Sequence, residues 1–213
     1  MSTNWQTISS LATAGGTLVL ASATFAAIRS SNRSARLAEE ALLAGMRPLI
    51  VTSLAGDPPH KLLWQDRHTA HLEGGRAICE EGNGNGVIYL AMGLRNVGSG
   101  IALLHGWRVD PVRVFGEQDV PEVADFRRQG LDLYVASGGS GYWEAAVRDE
   151  ADPLREALTT RIAEREPIGV DLLYGDQLGG QRTISRFTVL PMGDGGWYCQ
   201  VARHWHLDRP DPR

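Results

Sequence analysis

Lysine is nearly missing from this chain. Lys61 is the single example, and arginine supplies the rest of the 21 basic side chains. Set against 25 acids, they leave a formal net charge of −4. No basic surface follows from that balance, so nucleic acid is not expected as a partner. Cysteine is scarce as well. Cys79 and Cys199 lie far apart, with no CxxC or histidine-rich spacing around them, so they pair only if the fold brings them together. The glycine runs contain no GxxxxGK, which excludes a P-loop, and no GxSxG, which excludes a nucleophile elbow. No cofactor is expected, and without a catalytic constellation the chain does not read as an enzyme. The largest absence is at the start: Met1 to Ile28 holds no charged side chain at all.

That charge-free stretch is what an anchor requires. Trp5 to Ile28 provides the roughly 20 residues that cross about 30 Å of hydrocarbon as a helix. Trp5 sits at an interfacial position, and Arg29 closes the far end. The composition is rich in Ala, Ser, Thr and Gly rather than Leu, which weakens insertion. A secretory signal peptide is the competing reading, with ASA at 21–23 as its cleavage site. It lacks the basic region that should precede the apolar one. The span is therefore read as a transmembrane helix over residues 5–28.

Arg29, Arg33 and Arg36 follow at once, and nothing comparable precedes the span. The positive-inside rule then sets a single-pass protein in the cell membrane, N-terminus outside and C-terminal domain cytoplasmic. The same three arginines suit the anionic headgroups of the inner leaflet, at about 1 kcal/mol each. A juxtamembrane amphipathic helix is expected over 29–46. There Ala35, Ala38, Leu42 and Met46 make a narrow apolar stripe beside Arg33, Arg36, Glu39 and Glu40. The two helices can run on as one rod. Ala12/Gly16 and Ala23/Ala27 stand four apart, a spacing that permits helix–helix approach and with it a homo-oligomer.

From Pro48 onward the period changes to two. Ile88, Leu90, Met92 and Leu94 alternate with smaller or polar neighbours after the Asn-Gly turn EGNGNG. Ile101, Leu103, Trp107 and Val109 are expected to share one face of the next strand. Further strands read from LIVTS, KLLWQ, LDLYVA, YWEAAV, VDLLY and RTISRFTVL. In the final strand Trp197, Cys199, Val201, Trp205 and Leu207 are expected to point one way. One helix interrupts them: Asp152 and Pro153 open it, Leu154, Leu158 and Ile162 form its stripe, and Pro167 ends it. The fold class is thus mainly β, an immunoglobulin-like sandwich over 47–208 with one inserted helix, then a disordered tail over 209–213.

RSARLAEEALLAGMRPLIV and YLAMGLRNVGSGIALLHGW resemble a group of membrane-anchored proteins of high-GC actinobacteria. The resemblance covers most of the chain and implies the anchor-plus-sandwich layout. No activity comes with it.

Candidate sites are few. His204 and His206 share a strand face, and Asp66, His68 and His71 cluster near another strand. Such residues ligate zinc, but neither set places a full ligand sphere. Asp171 and Asp176 flank a turn, where aspartate is ordinary. The tryptophans are expected mostly in the core. FGEQDVPEVADFRRQG, 115–130, reads as an exposed loop, with Arg127 and Arg128 as candidate partner-binding residues. The expected function is a cytoplasmic-facing interaction or scaffold module with a protein partner and the bilayer as its contacts. The alternatives are a membrane-attached metal-dependent hydrolase using the histidines, or an envelope domain in the inverted topology, for which a Cys79–Cys199 bond would speak.

Overall fold

The computed structural model describes residues 3–82, 84, 86–111 and 119–210. The chain divides into two units, Met1–Gly45 and Met46–Arg213.

The first unit is one continuous helix, α1 (Thr3–Gly45), of 43 residues. At 1.5 Å per residue it is about 65 Å long. Its apolar window has a mean hydropathy of 1.7, and none of it is buried. It is the one helix among the described residues long and apolar enough to cross a membrane. The many hydroxyls in it do not stay free. Thr13, Thr17, Ser22 and Thr24 donate to the carbonyls four residues back, at 2.8–2.9 Å. A hydroxyl bonded to its own helix is a far smaller burden in hydrocarbon than an unpaired one.

The second unit carries eleven strands: β1 (Ile50–Thr52), β2 (His60–Leu63), β3 (Thr69–Leu72), β4 (Arg76–Glu81), β5 (Ile88–Asn96), β6 (Ala102–Asp110), β7 (Arg127–Val135), β8 (Ser140–Val147), β9 (Ile168–Asp176), β10 (Arg182–Pro191) and β11 (Trp197–His206). Helix α2 (Pro153–Ala163) lies between β8 and β9. Nine strands form one antiparallel sheet in the order β1-β5-β4-β11-β10-β9-β6-β7, with β8 on the other edge of β5. β2 and β3 form a separate hairpin. The sheet curls around a core drawn from both its halves, including Leu90, Met92, Trp143, Leu172, Phe187 and Val189.

One expectation about this sheet is met in part and another needs correcting. The β unit is mainly antiparallel sheet as expected, but it is one continuous curled sheet, in which only Trp197↔Ala77 and Tyr198↔Arg76 join β11 to β4. The immunoglobulin-like strand order is therefore not established. The stretch 115–130 is not a loop throughout either: Val123–Asp125 is a short 3₁₀ turn, and β7 begins at Arg127. Residues 112–118 lie outside the described residues, as do 211–213 of the expected tail.

Bulges account for the wrong faces. β6 and β9 slip register between Leu104 and Gly106, leaving His105 unmatched. Ala102, Leu104, Trp107 and Val109 face the core, and Leu103 does not. In β11 the slip leaves Ala202 without a partner. Trp197, Cys199 and Val201 face the core, whereas Trp205 turns to the opposite side with Leu173, Ile184 and Leu207. One extra residue is enough, because a strand's side chains alternate. β5 departs from the one-sided pattern for another reason. Tyr89 and Ala91, on its second face, are covered by Leu62, Trp64 and Leu72 of the β2–β3 segment.

Helix α2 forms where its caps placed it. The Asp152 carboxylate accepts from the Leu154 N–H at 3.0 Å, Pro153 occupies the first turn, and Leu158 is fully buried.

Candidate functional site

The curl brings the two ends of the sheet together without closing it. β7 and β8 run side by side, joined by a side chain: Gln129 Nε2 donates to the Glu144 carbonyl at 3.2 Å. The cause lies in β7. Leu133 pairs with Leu104 and Arg128 with Gly106, so Gln129 to Asp132 have no match in that ladder and arch away from β6. A bulge of this kind ends pairing and re-aims side chains. On the other side Trp64 Nε1 donates to the Ala145 carbonyl at 3.1 Å.

Between these edges lies a cleft of about 170 Å³. Trp64 and Trp107 are its aromatic walls, and Arg128, Gln129, Glu144 and Arg148 are its polar lining. Glu144 is only 9% exposed. Its Oε2 and the Gln129 Oε1 are buried without a hydrogen-bond partner. Burial raises the Glu144 pKa, with Arg148 acting in the opposite sense. The Tyr142 hydroxyl is raised too, by burial first and then by the Glu144 charge. Arg148 is tied to Asp66 at 3.4 Å, and Asp66 accepts from the Tyr89 hydroxyl at 2.6 Å. The Arg128 side chain is exposed and makes no hydrogen bond or ion pair among the described residues.

The two arginines singled out from sequence therefore part company. Arg128 lines the cleft. Arg127 serves the fold: it forms a bidentate pair with Asp152, one arm at 2.8 Å, and lies 5.2 Å from the centre of the Trp107 ring. Arg29, Arg33 and Arg36 are exposed on α1.

The histidines are placed by hydroxyls. His204 Nδ1 is 2.6 Å from Ser185 Oγ, which is 2.8 Å from Tyr174 Oη; that hydroxyl in turn accepts from the Ile50 N–H at 3.1 Å. His206 Nδ1 lies 3.2 Å from both Thr183 Oγ1 and Arg47, and Arg47 also pairs with Asp208. Ser185 and Tyr174 are fully buried, so this chain of groups fastens β1 and the strand ends. Among the described residues no three His, Cys, Asp or Glu side chains gather as a metal set. Asp66 and His68 do meet, but around Tyr89, on which His68 stacks at 3.9 Å. Asp171 and Asp176 are structural. Asp171 takes two bonds from Arg186, at 2.7 and 3.0 Å, and one from Arg108 at 3.2 Å. Asp176 accepts from the Gln181 N–H at 2.9 Å. Cys79 and Cys199 are buried free thiols. Burial pushes both upward, Cys199 to about 12, so neither offers a thiolate at neutral pH.

Glu144 and Gln129 were not singled out from sequence. A charged residue inside the apolar run YWEAAV was the available signal.

No protein family matches the chain, and no curated protein does. One solved structure, a protein from Archaeoglobus fulgidus, aligns over 63% of this chain and 96% of its own, at 14% identity and a TM-score of 0.25. That likeness is too slight to carry an argument.

Proposed function

We propose that the protein is a single-pass membrane anchor bearing an interaction module, with the β unit on the cytoplasmic side of the cell membrane. The observation that carries this reading is α1: 43 residues of helix with an unburied apolar window, followed in the same helix by Arg29, Arg33 and Arg36. Such a face is stable in lipid and costly in water. Free thiols at Cys79 and Cys199 support the reducing side. The β unit would then meet a protein partner near anionic headgroups, and the small-residue spacing in α1 would let copies associate.

The hydrolase alternative called for a third ligand beside His204 and His206. Their neighbours include Ser185, Thr183 and Arg47, none of them an ordinary zinc ligand. The layout of the β unit, two half-sheets joined by two residue pairs, supports treating it as a sandwich closed along one edge. The layout also agrees with the resemblance to anchored actinobacterial proteins, which we keep as part of the proposal.

The test is fractionation followed by protease protection. A C-terminally tagged chain should stay in the carbonate-washed membrane pellet, and in spheroplasts the tag should survive protease until detergent is added. Loss of the tag from intact spheroplasts would put the β unit in the envelope. Release by carbonate would remove the anchor.

A further inference from the structure

We infer that the cleft between β7 and β8 is a binding site for a small organic carboxylate with a flat apolar body. Four observations converge on it. The cleft is built rather than incidental, because the β7 bulge holds its two edges apart while Gln129 and Trp64 cap β8 acceptors from either side. Its walls are indoles, which favour a flat apolar group. Arg128 stands at it with no partner among the described residues, and a guanidinium without a counter-ion is suited to a carboxylate. Glu144 lines it while more than nine-tenths buried, with one carboxyl oxygen unpartnered.

The arginines set the sign of the ligand, and Glu144 makes its binding depend on pH. The charged groups around Glu144 are Arg148, just beyond the end of its strand, and Arg128 across the seam, with Tyr142 beside it, and Asp66 takes up part of the Arg148 charge. Burial favours the neutral acid. A neutral acid can donate its O–H to a bound carboxylate, whereas an ionised one would repel it. Where Glu144 is protonated, the surroundings are two arginines and a hydrogen-bond donor, which suits an anion and not an amine.

Size limits the ligand further. At about 30 Å³ per water the cleft equals about six water molecules. Drug-sized pockets start at about 300 Å³, so the occupant is a free small acid rather than a nucleotide or a folded partner. This inference does not rest on the membrane topology proposed above.

The probes are benzoate, benzamide and benzylamine, one body with three charges, titrated by calorimetry into the full chain in detergent micelles. Benzoate should bind saturably, the other two should not, and the benzoate affinity should fall as pH rises and Glu144 ionises. Arg128→Ala should weaken benzoate about tenfold or more, as expected for a lost charged hydrogen bond. Arg128 is exposed and touches no partner, so this variant leaves the fold intact. Glu144→Gln keeps a donor and should bind benzoate with the pH dependence flattened. The inference is overturned if benzoate does not saturate, if Arg128→Ala binds as the wild type does (the result of mere partitioning into detergent), or if benzylamine is preferred.

Discussion

At the scale of single residues, neighbours in sequence have unrelated work. Arg127 is held by Asp152 and lies over Trp107, and Asp152 also caps α2. Arg127→Ala should therefore lower the melting temperature by a few degrees, because about 1 kcal/mol moves a domain of this size by about 2–4 °C. Arg128→Ala should leave it unchanged, and parallel thermal melts separate the two. Tyr174 is more demanding, since its hydroxyl meets both the Ile50 N–H and Ser185 inside the core. Tyr174→Phe strands the Ile50 N–H and leaves Ser185 with His204 alone, and should cost about 1–3 kcal/mol in a denaturant melt. Glu144 gives a pH dependence. Its pKa is raised in the folded state, so near pH 4 both states are protonated and the group has little effect. As pH climbs through the raised value, ionisation costs the folded state stability. Glu144→Gln should thus melt at or above the wild type near pH 8, with the gap closing toward pH 4. A gap that widens in acid would contradict this.

At the scale of elements, the sequence is readable wherever local chemistry decides. Asp152-Pro153 opens a helix, β4 ends and β5 begins around EGNGNG, and Gly-Ser-Gly separates β5 from β6, in their expected places. Even NVGSG holds more than a turn: a Cβ on Gly98 or Gly100 would strike the backbone of 46–49, which enters the β unit there. What stayed hidden depends on distant chain. β3 is only TAHL, and β4, RAICEE, carries charge at both ends and is held by pairing with β5. Burial of the second face of β5 needs a hairpin from some 20 residues upstream. The bulges at His105 and Ala202 leave the alternation of the sequence untouched and reverse only its meaning. The cleft is hardest of all, since it is the place where two strands fail to pair. The β11 bulge can be tested. Deleting Ala202 would join Val201 to Arg203 and leave Phe187↔Val201, Arg186↔Arg203 and Ile184↔Trp205 paired on their present faces, with the bulge gone. We expect that deletion, like Ala202→Ser, to keep the fold, whereas inserting one alanine after Arg203 would aim His204 at Leu173 and Ile184 and turn Trp205 to the side of Thr183, and should unfold the β unit at 37 °C.

At the scale of the whole molecule, the two units face different demands. α1 has no core of its own, and its apolar side chains are open to whatever surrounds it, with Trp5 76%, Leu18 72% and Phe25 67% exposed. The β unit is complete without it. Its core clusters contain residues from Ile50 onward and none from α1. The first fastening after the helix is Arg47, which reaches Asp208 and His206 at the far end of the fold, and β1 then pairs with β5. The boundary for autonomous folding consequently falls between Gly45 and Arg47. Residues 46–213 expressed alone should be soluble without detergent and melt in one cooperative step, at the temperature of the β unit in the full chain. Starting at residue 49 instead removes Arg47 and its bonds to Asp208 and His206, so that fragment should melt several degrees lower. If the 46–213 fragment aggregated or failed to melt cooperatively, α1 would have to be part of the folded β unit. The unburied apolar window would then no longer point to lipid.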